Sequence, residues 1–190
     1  LKTKSISRVV VSTEDIQIAN VAKLAGAEVP FLRPKNLALD ESLAIDSYIF
    51  TVEKLKIKDS IIIEDIVILQ PTSPLRLSDD IDEAIQMFIS KKAKSVISFT
   101  KESHPIAWHK YIETDNRIIS IFEEKLQNRQ EERVTFYPNG AIYVFNYNFL
   151  KQQKFFSEKS YAFLMPRNRS IDIDYIEDFQ YAEYLLKNKK

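Results

Sequence analysis

The sequence predicts an α/β fold in which a mostly parallel sheet carries helices on both faces. Three observations lead there. Strand-like and helix-like patterns alternate as β-α-β-α-β through the first half of the chain, and parallel neighbours require such crossover connections. Asp65-Ile66-Val67-Ile68-Leu69-Gln70 is almost wholly apolar, as expected of a strand covered on both faces. The chain has 190 residues, 45% hydrophobic and 28% charged, which suits one ordinary domain with a continuous core.

The elements follow in order. Arg8 to Thr13 is a short β-branched run that reads as a strand. Ile18, Val21, Ala22 and Ala25 then fall at helical spacing, with Ser12 and Asp15 as start signals and Gly26 where the helix should stop. Leu39 to Lys56 reads as a second helix, and Asp65 to Gln70 as a central parallel strand. Ser78 caps a third helix whose first turn holds Asp79, Asp80, Asp82 and Glu83, where the dipole favours anions; Ile81, Ala84, Ile85 and Phe88 form its apolar stripe. Lys94 to Thr100 supplies another strand. The alternation then breaks into an extended segment at Trp108 to Ile112, a charged stretch from Glu123 to Arg133 and a strand at Ala141 to Phe145. A last helix, Tyr175 to Leu186, places Tyr175, Phe179, Ala182 and Leu186 on one face. The whole reads as a Rossmann-like sheet in a single domain spanning 1–190.

Charge and composition exclude several classes of function. Lys+Arg at 27 balance Asp+Glu at 27 without a basic block, so no nucleic-acid partner is expected. No apolar stretch approaches the ~18 residues that a membrane span needs, and Leu1 to Ser7 lacks the apolar core of a signal peptide. Zero cysteines remove disulfides, thiolate nucleophiles and cysteine zinc sites together, and a cytoplasmic location is expected. His104 and His109 have no metal-ligand spacing, and no G-x-S-x-G elbow occurs. Glycine is scarce: there are two, Gly26 and Gly140.

In a parallel sheet, ligands gather just beyond the carboxyl ends of the strands. The loop Gln70-Pro71-Thr72-Ser73-Pro74-Leu75-Arg76 lies there, and its two prolines fix the backbone while Gln70, Thr72, Ser73 and Arg76 offer polar groups to a cleft. Read alone, it is more readily a rigid turn into the Ser78 helix. In Ser170-Ile171-Asp172-Ile173-Asp174 the alternation puts both carboxylates on one face of an extended segment, suited to a hard divalent cation such as Mg²⁺. Asp174, three residues before Glu177, also fits a helix cap, which leaves Asp172 the better ligand. Asn139-Gly140 is a turn into a strand, and Arg129 lies in a charged loop where a guanidinium can bind a carboxylate or phosphate.

Five segments in this order resemble the acylneuraminate cytidylyltransferase family. They are Val9 to Thr13, Leu32-Arg33-Pro34 with Leu37-Ala38 and Asp40, Leu69 to Arg76, Pro138 to Tyr143, and Ser170 to Asp174 followed by Glu177-Asp178. The resemblance implies a nucleotide-diphospho-sugar transferase type of fold, usually dimeric, that moves CMP from CTP to an acidic nine-carbon 2-keto sugar and releases pyrophosphate. It implies that Arg33 and Ser42 bind the nucleotide, that Gln70 and Asn139 reach the sugar, that Arg129, paired with Gln130, is catalytic, and that Asp172 and Asp174 hold Mg²⁺. It also promotes Arg129 and Asp174 above their readings as loop and cap.

The chain departs from the family pattern at Leu43 and Ala44, where a second hydroxyl is usual, and at Tyr137, where many members carry arginine. The resemblance implies that the family's opening strand and glycine-rich phosphate loop would lie upstream of Leu1, which would account for both the scarcity of glycine and the absence of an initial Met. Two alternatives stay open. One is another sugar nucleotidyltransferase, for instance one acting on 3-deoxy-manno-octulosonate, though that branch resembles a Q-G-D-E-P loop. The other is an inert truncated homologue that binds a nucleotide or sugar.

Overall fold

The computed structural model describes residues 3–122 and 133–188, so Arg129 and Gln130 lie outside the described residues. The chain divides into two compact units, one made of Leu1–Ile68, Ser78–Val96 and Tyr143–Tyr161, the other of Leu69–Leu77, Ile97–Ile142 and Ala162–Lys190.

In the first unit, Asp15 caps helix α1 (Ile16–Leu24) by accepting the N–H groups of Gln17 and Ile18 at 2.6 and 3.0 Å. Gly26 follows the helix at φ +88°, the left-handed stop its position predicts. The Arg8 to Thr13 run does not form the expected strand. Val10 makes a single parallel bridge with Glu28, tied by Val11 N–H to Glu28 C=O and Glu28 N–H to Val9 C=O at 2.9 and 2.8 Å. β-branched composition favours extended backbone, but a ladder needs a partner along its whole length. Helix α1 buries Ala19 and exposes Ile18 and Val21; periodicity locates an apolar face without supplying what covers it.

Helix α2 (Ala44–Asp59) begins five residues later than its pattern suggests. Leu39 and Ser42 are held in a turn instead, because the Ser42 hydroxyl accepts Leu39 N–H and donates to Asn36 C=O. Helix α3 (Ser78–Ser90) buries Ile81, Ala84, Ile85 and Phe88 as its stripe requires. The short α4 (Tyr147–Leu150) is fastened to α2: buried Tyr147 donates its hydroxyl to Glu53 at 2.6 Å, and Lys151 reaches the same carboxylate at 3.0 Å.

The sheet has the order β1 (Asp65–Ile68), β5 (Phe136–Asn146), β2 (Ser95–Lys101), β6 (Ser160–Leu164). β1 pairs antiparallel with β5, from Asp65 opposite Asn146 to Ile68 opposite Tyr143. Bonds from Asn146 N–H to Lys94 C=O and from Glu102 N–H to Thr135 C=O run in opposite senses, so β5 also opposes β2. Bonds from Lys94 N–H to Lys159 C=O and from Met165 N–H to Phe99 C=O ascend together, so β6 is parallel to β2. Three strands thus share a direction, the mostly parallel sheet expected, with β5 reversed among them. The Asp65 strand is not central: it stands at one end of this order beside an antiparallel neighbour. Ile66, Val67 and Ile68 are only half-buried, so the apolar run does not mark a strand covered on both faces here, and it carries no information on direction or rank.

The second unit holds the Leu69–Leu77 loop, a hairpin of β3 (Lys110–Ile112) and β4 (Ile118–Ser120), and helix α5 (Ile176–Lys187). Its core includes Leu75, Ile97, Ala141, Ile142, Phe163 and Met165. Of the face expected to be buried on α5, Ala182 is buried while Tyr175, Phe179 and Leu186 are exposed. No helix among the described residues is long and apolar enough to cross a membrane.

Candidate active site

The Gln70 loop is built around Arg76. The Arg76 guanidinium turns inward and donates through Nη1 to the carbonyls of Gln70 at 2.7 Å and Ser73 at 2.6 Å. Burial pushes this guanidinium below its ordinary pKa. Ser73 is fully buried and its hydroxyl donates to Asn139 C=O at 3.3 Å. Arg76 and Ser73 therefore shape the loop and do not present themselves to a cleft, as the sequence suggested. The backbone also binds this loop to the carboxylate segment, since Ile173 N–H donates to Thr72 C=O at 2.9 Å.

Asn139 is the buried hub, 2% exposed. Its Nδ2 donates to Ser170 Oγ at 2.8 Å, and its Oδ1 accepts from Ser98 Oγ at 2.5 Å and from Ala141 N–H at 3.2 Å. With its amide spent on these groups, Asn139 fixes the bend that carries Gly140. Gly140 has φ +73°, and a Cβ there would lie 2.7 Å from Gln70 Oε1, 3.0 Å from Asp172 Oδ2 and 3.3 Å from Ser73 Oγ. Three oxygens from two segments thus converge on one point that only glycine leaves open.

Asp172 follows a 3-10 turn (Arg167–Arg169) closed by Ser170, whose hydroxyl donates to Pro166 C=O at 2.9 Å. Asp172 Oδ1 is buried and has no hydrogen-bond partner. Asp174 is exposed, and it is not the cap of α5: Asp178 takes that role by accepting the N–H groups of Asp174 and Tyr175 at 3.2 and 3.0 Å. Among the described residues no cluster of three His, Cys, Asp or Glu side chains occurs. The oxygens of Asp172, Gln70 and Ser73 are nevertheless of the hard-donor kind.

Two expected residues belong to the first unit. Arg33 donates through Nη2 to Glu14 Oε2 at 2.6 Å and through its backbone N–H to Thr13 C=O at 2.8 Å, while its Nε is buried without an acceptor. The guanidinium holds the Glu14 carboxyl below its usual range. Ser42 spends its hydroxyl within its own turn. The structure thus brings together Gln70, Asn139 and Asp172 in one unit, and places Arg33 and Ser42 in the other. Sequence reasoning missed Ser98, Glu14 and the role of Ser170; Ser98 is a hydroxyl between Ile97 and Phe99, a signal visible only as a break in the apolar pattern.

The same architecture occurs in solved enzymes. A CMP:2-keto-3-deoxy-manno-octonic acid synthetase complexed with CTP matches with a TM-score of 0.69 at 12% identity, over 100% of this chain and 84% of that one. A 4-diphosphocytidyl-2C-methyl-D-erythritol synthase from Anaerococcus prevotii matches with a TM-score of 0.59 at 13% identity, over 98% and 82%. The fold is therefore that of the α/β nucleotidyltransferases. More narrowly, the family model described as Cytidylyltransferase matches residues 1–190, and the chain belongs to that family. Its relatives include the pseudaminic acid cytidylyltransferase of Campylobacter jejuni, 28% identical over 98% of this chain and 81% of the relative. The CMP-N,N'-diacetyllegionaminic acid synthase of Legionella pneumophila is 31% identical over 98% and 81%. The N-acylneuraminate cytidylyltransferase of Escherichia coli is 31% identical over 100% of this chain and 44% of the relative. The resemblance to acylneuraminate cytidylyltransferases is borne out.

Proposed function

We propose that this protein transfers CMP from CTP to the anomeric hydroxyl of a nine-carbon 2-keto acid sugar. The sugar oxygen bonds to the α-phosphorus, the bond from that phosphorus to the bridging oxygen breaks, pyrophosphate leaves and the hydroxyl proton passes to solvent. The observation that carries this reading is the oxygen cradle over Gly140, with the partnerless carboxylate oxygen of Asp172 in the same residue set. A buried carboxylate oxygen without a donor is costly unless a cation or donor joins it. Asp172 and Asp174 are the residues that would hold Mg²⁺, and the ion would supply charge neutralisation for the phosphates. Gln70 reaches the acid sugar, Arg76 and Asn139 hold the backbone that positions it, Arg33 contacts the nucleotide with Ser42 shaping its turn, and Arg129 offers a cation to the reacting groups.

The protein acts as a homodimer in the cytoplasm, where CTP is made. In support of self-association, the β3–β4 hairpin exposes Tyr111, Ile112, Ile118 and Ile119, and an isolated two-stranded hairpin is marginal in water.

The test is pyrophosphate release with CTP or GTP, Mg²⁺ and a panel of acid sugars that includes sialic, legionaminic and pseudaminic acids and 3-deoxy-manno-octulosonate. Turnover is expected with CTP and a nine-carbon acid, and Arg129→Ala and Asp172→Asn should each lower it by about a hundredfold or more. Full turnover by both variants at saturating substrate would overturn the site assignment. Turnover on the eight-carbon acid alone would overturn the substrate class.

A further inference from the structure

The pair Glu14 and Arg33 stands where the two segments of the Val10–Glu28 parallel bridge leave it toward their carboxyl ends. Glu14 follows Thr13, and Arg33 is bonded to Thr13 through its backbone. Each partner is anchored separately. Thr13 is buried and accepts Asp15 N–H at 3.1 Å, Asp15 caps α1, and Pro34 fixes the backbone just after Arg33. Glu14 takes one N–H of the guanidinium at 2.6 Å and leaves Nε–H shut off from solvent with no acceptor. The side chains of Arg33 and Glu14 are 20% and 30% exposed, and a partly exposed ion pair adds little stability. An arginine gripped by Glu14 and pinned to Thr13 through its backbone is held in one orientation, with part of its guanidinium still open to an acceptor.

We propose that Glu14 is a positioning residue for nucleotide binding: it grips Arg33 in one orientation, so that the exposed part of the guanidinium is held ready for an acceptor on CTP. The proposal rests on reading Arg33 as the nucleotide contact. Arginine is free to sample many rotamers, so a carboxylate that selects one of them removes part of the ordering cost of binding. The opposite role is also physical. A carboxylate on that guanidinium can compete with the nucleotide phosphates, and its removal would then tighten binding.

The experiment is a double-mutant cycle on CTP affinity, measured by titration calorimetry of CTP with Mg²⁺ into the wild-type chain, Glu14→Gln, Arg33→Ala and the double variant. Glu14→Gln is expected to raise the Kd about tenfold and to have no further effect when Arg33 is alanine. In pyrophosphate release its KM for CTP should rise by the same factor while kcat stays within about twofold. Should Glu14→Gln fail to fold, Glu14→Asp keeps the charge, withdraws it by one methylene and carries the same cycle. An equal loss with and without Arg33 would overturn the proposal, as would unchanged or tighter binding in Glu14→Gln. If Arg33→Ala itself leaves the Kd unchanged, the nucleotide reading of Arg33 fails, a result distinct from the failure of Glu14 alone.

Discussion

Gly140→Ala probes the point on which the Gln70–Ser73 loop and the Asp172 segment converge. The added methyl would sit 2.7 Å from Gln70 Oε1, 3.0 Å from Asp172 Oδ2 and 3.3 Å from Ser73 Oγ, at a residue with φ +73°. Two costs arise. A Cβ in the left-handed region costs about 1 to 2 kcal/mol, and forcing a methyl into packed space costs about 1 to 3 kcal/mol. A total of about 3 kcal/mol lowers Tm by roughly 6 to 12 °C in a chain of this size. Gln70 Oε1 is the end of a flexible side chain and yields first, and its displacement should cut pyrophosphate release about tenfold or more. Gly26→Ala is the internal control. Gly26 has φ +88° but nothing within 4 Å of its ideal Cβ, so only the backbone cost of about 1 to 2 kcal/mol applies and turnover should be unchanged. Scanning calorimetry and the pyrophosphate assay on both variants decide the matter. If Gly140→Ala matches Gly26→Ala in Tm and turnover, the crowding at Gly140 plays no part in stability or catalysis.

Three further outcomes are expected. Arg76→Met keeps the apolar stem but removes both bonds to the loop carbonyls, and should destabilise the protein by about 2 kcal/mol while raising KM for the acid sugar; an unchanged KM would show that the loop holds its shape without the clasp. Asn139→Ala leaves Ser98, Ser170 and Ala141 N–H short of partners and should cost about 3 kcal/mol in urea unfolding, unless water fills the space and the loss stays under about 1 kcal/mol. Tyr147 and Lys151 hold the Glu53 carboxyl at about 2, against an ordinary 4.5. A carboxyl depressed in the folded state contributes stability above its unfolded pKa and loses it as pH falls through the folded value. The Glu53 contribution is therefore full above about pH 4.5 and fades toward pH 2. Tyr147→Phe should flatten thermal stability across that window, and a profile parallel to the wild type would refute the linkage.

How far the sequence could be read depended on whether a signal was local. The α3 stripe of Ile81, Ala84, Ile85 and Phe88 is complete within four turns and is buried as written. Gly26 was legible for the same reason, because a helix stop needs only its own backbone. Partnership was not legible. The Asp65 run gave no hint that its neighbour would be antiparallel β5, a strand far along the chain. Tyr175, Phe179 and Leu186 share a face on α5 that remains exposed. In the site, motif order led to Gln70, Asn139 and Asp172, which the fold does place in one unit. The direction of each side chain was beyond the motif: Arg76 and Ser73 look inward, and Asn139 is spent on Ser98 and Ser170.

Unmet hydrogen bonds say more about the chemistry than the motifs do. Four buried side-chain atoms among the described residues lack partners: Thr3 Oγ1, Thr100 Oγ1, Arg33 Nε and Asp172 Oδ1. The threonine hydroxyls are neutral groups, for which a missing partner is a modest defect. The other two belong to charged groups, where the same defect is far more expensive. The fold can satisfy buried polar groups well, since it gives Asn139 partners on both sides of its amide and Arg76 two carbonyls. An unmet donor on a guanidinium and an unmet acceptor on a carboxylate then read as valences kept for a ligand. The two have opposite polarity, each within its own unit: the Arg33 guanidinium takes an acceptor, and the Asp172 carboxylate takes a cation or donor.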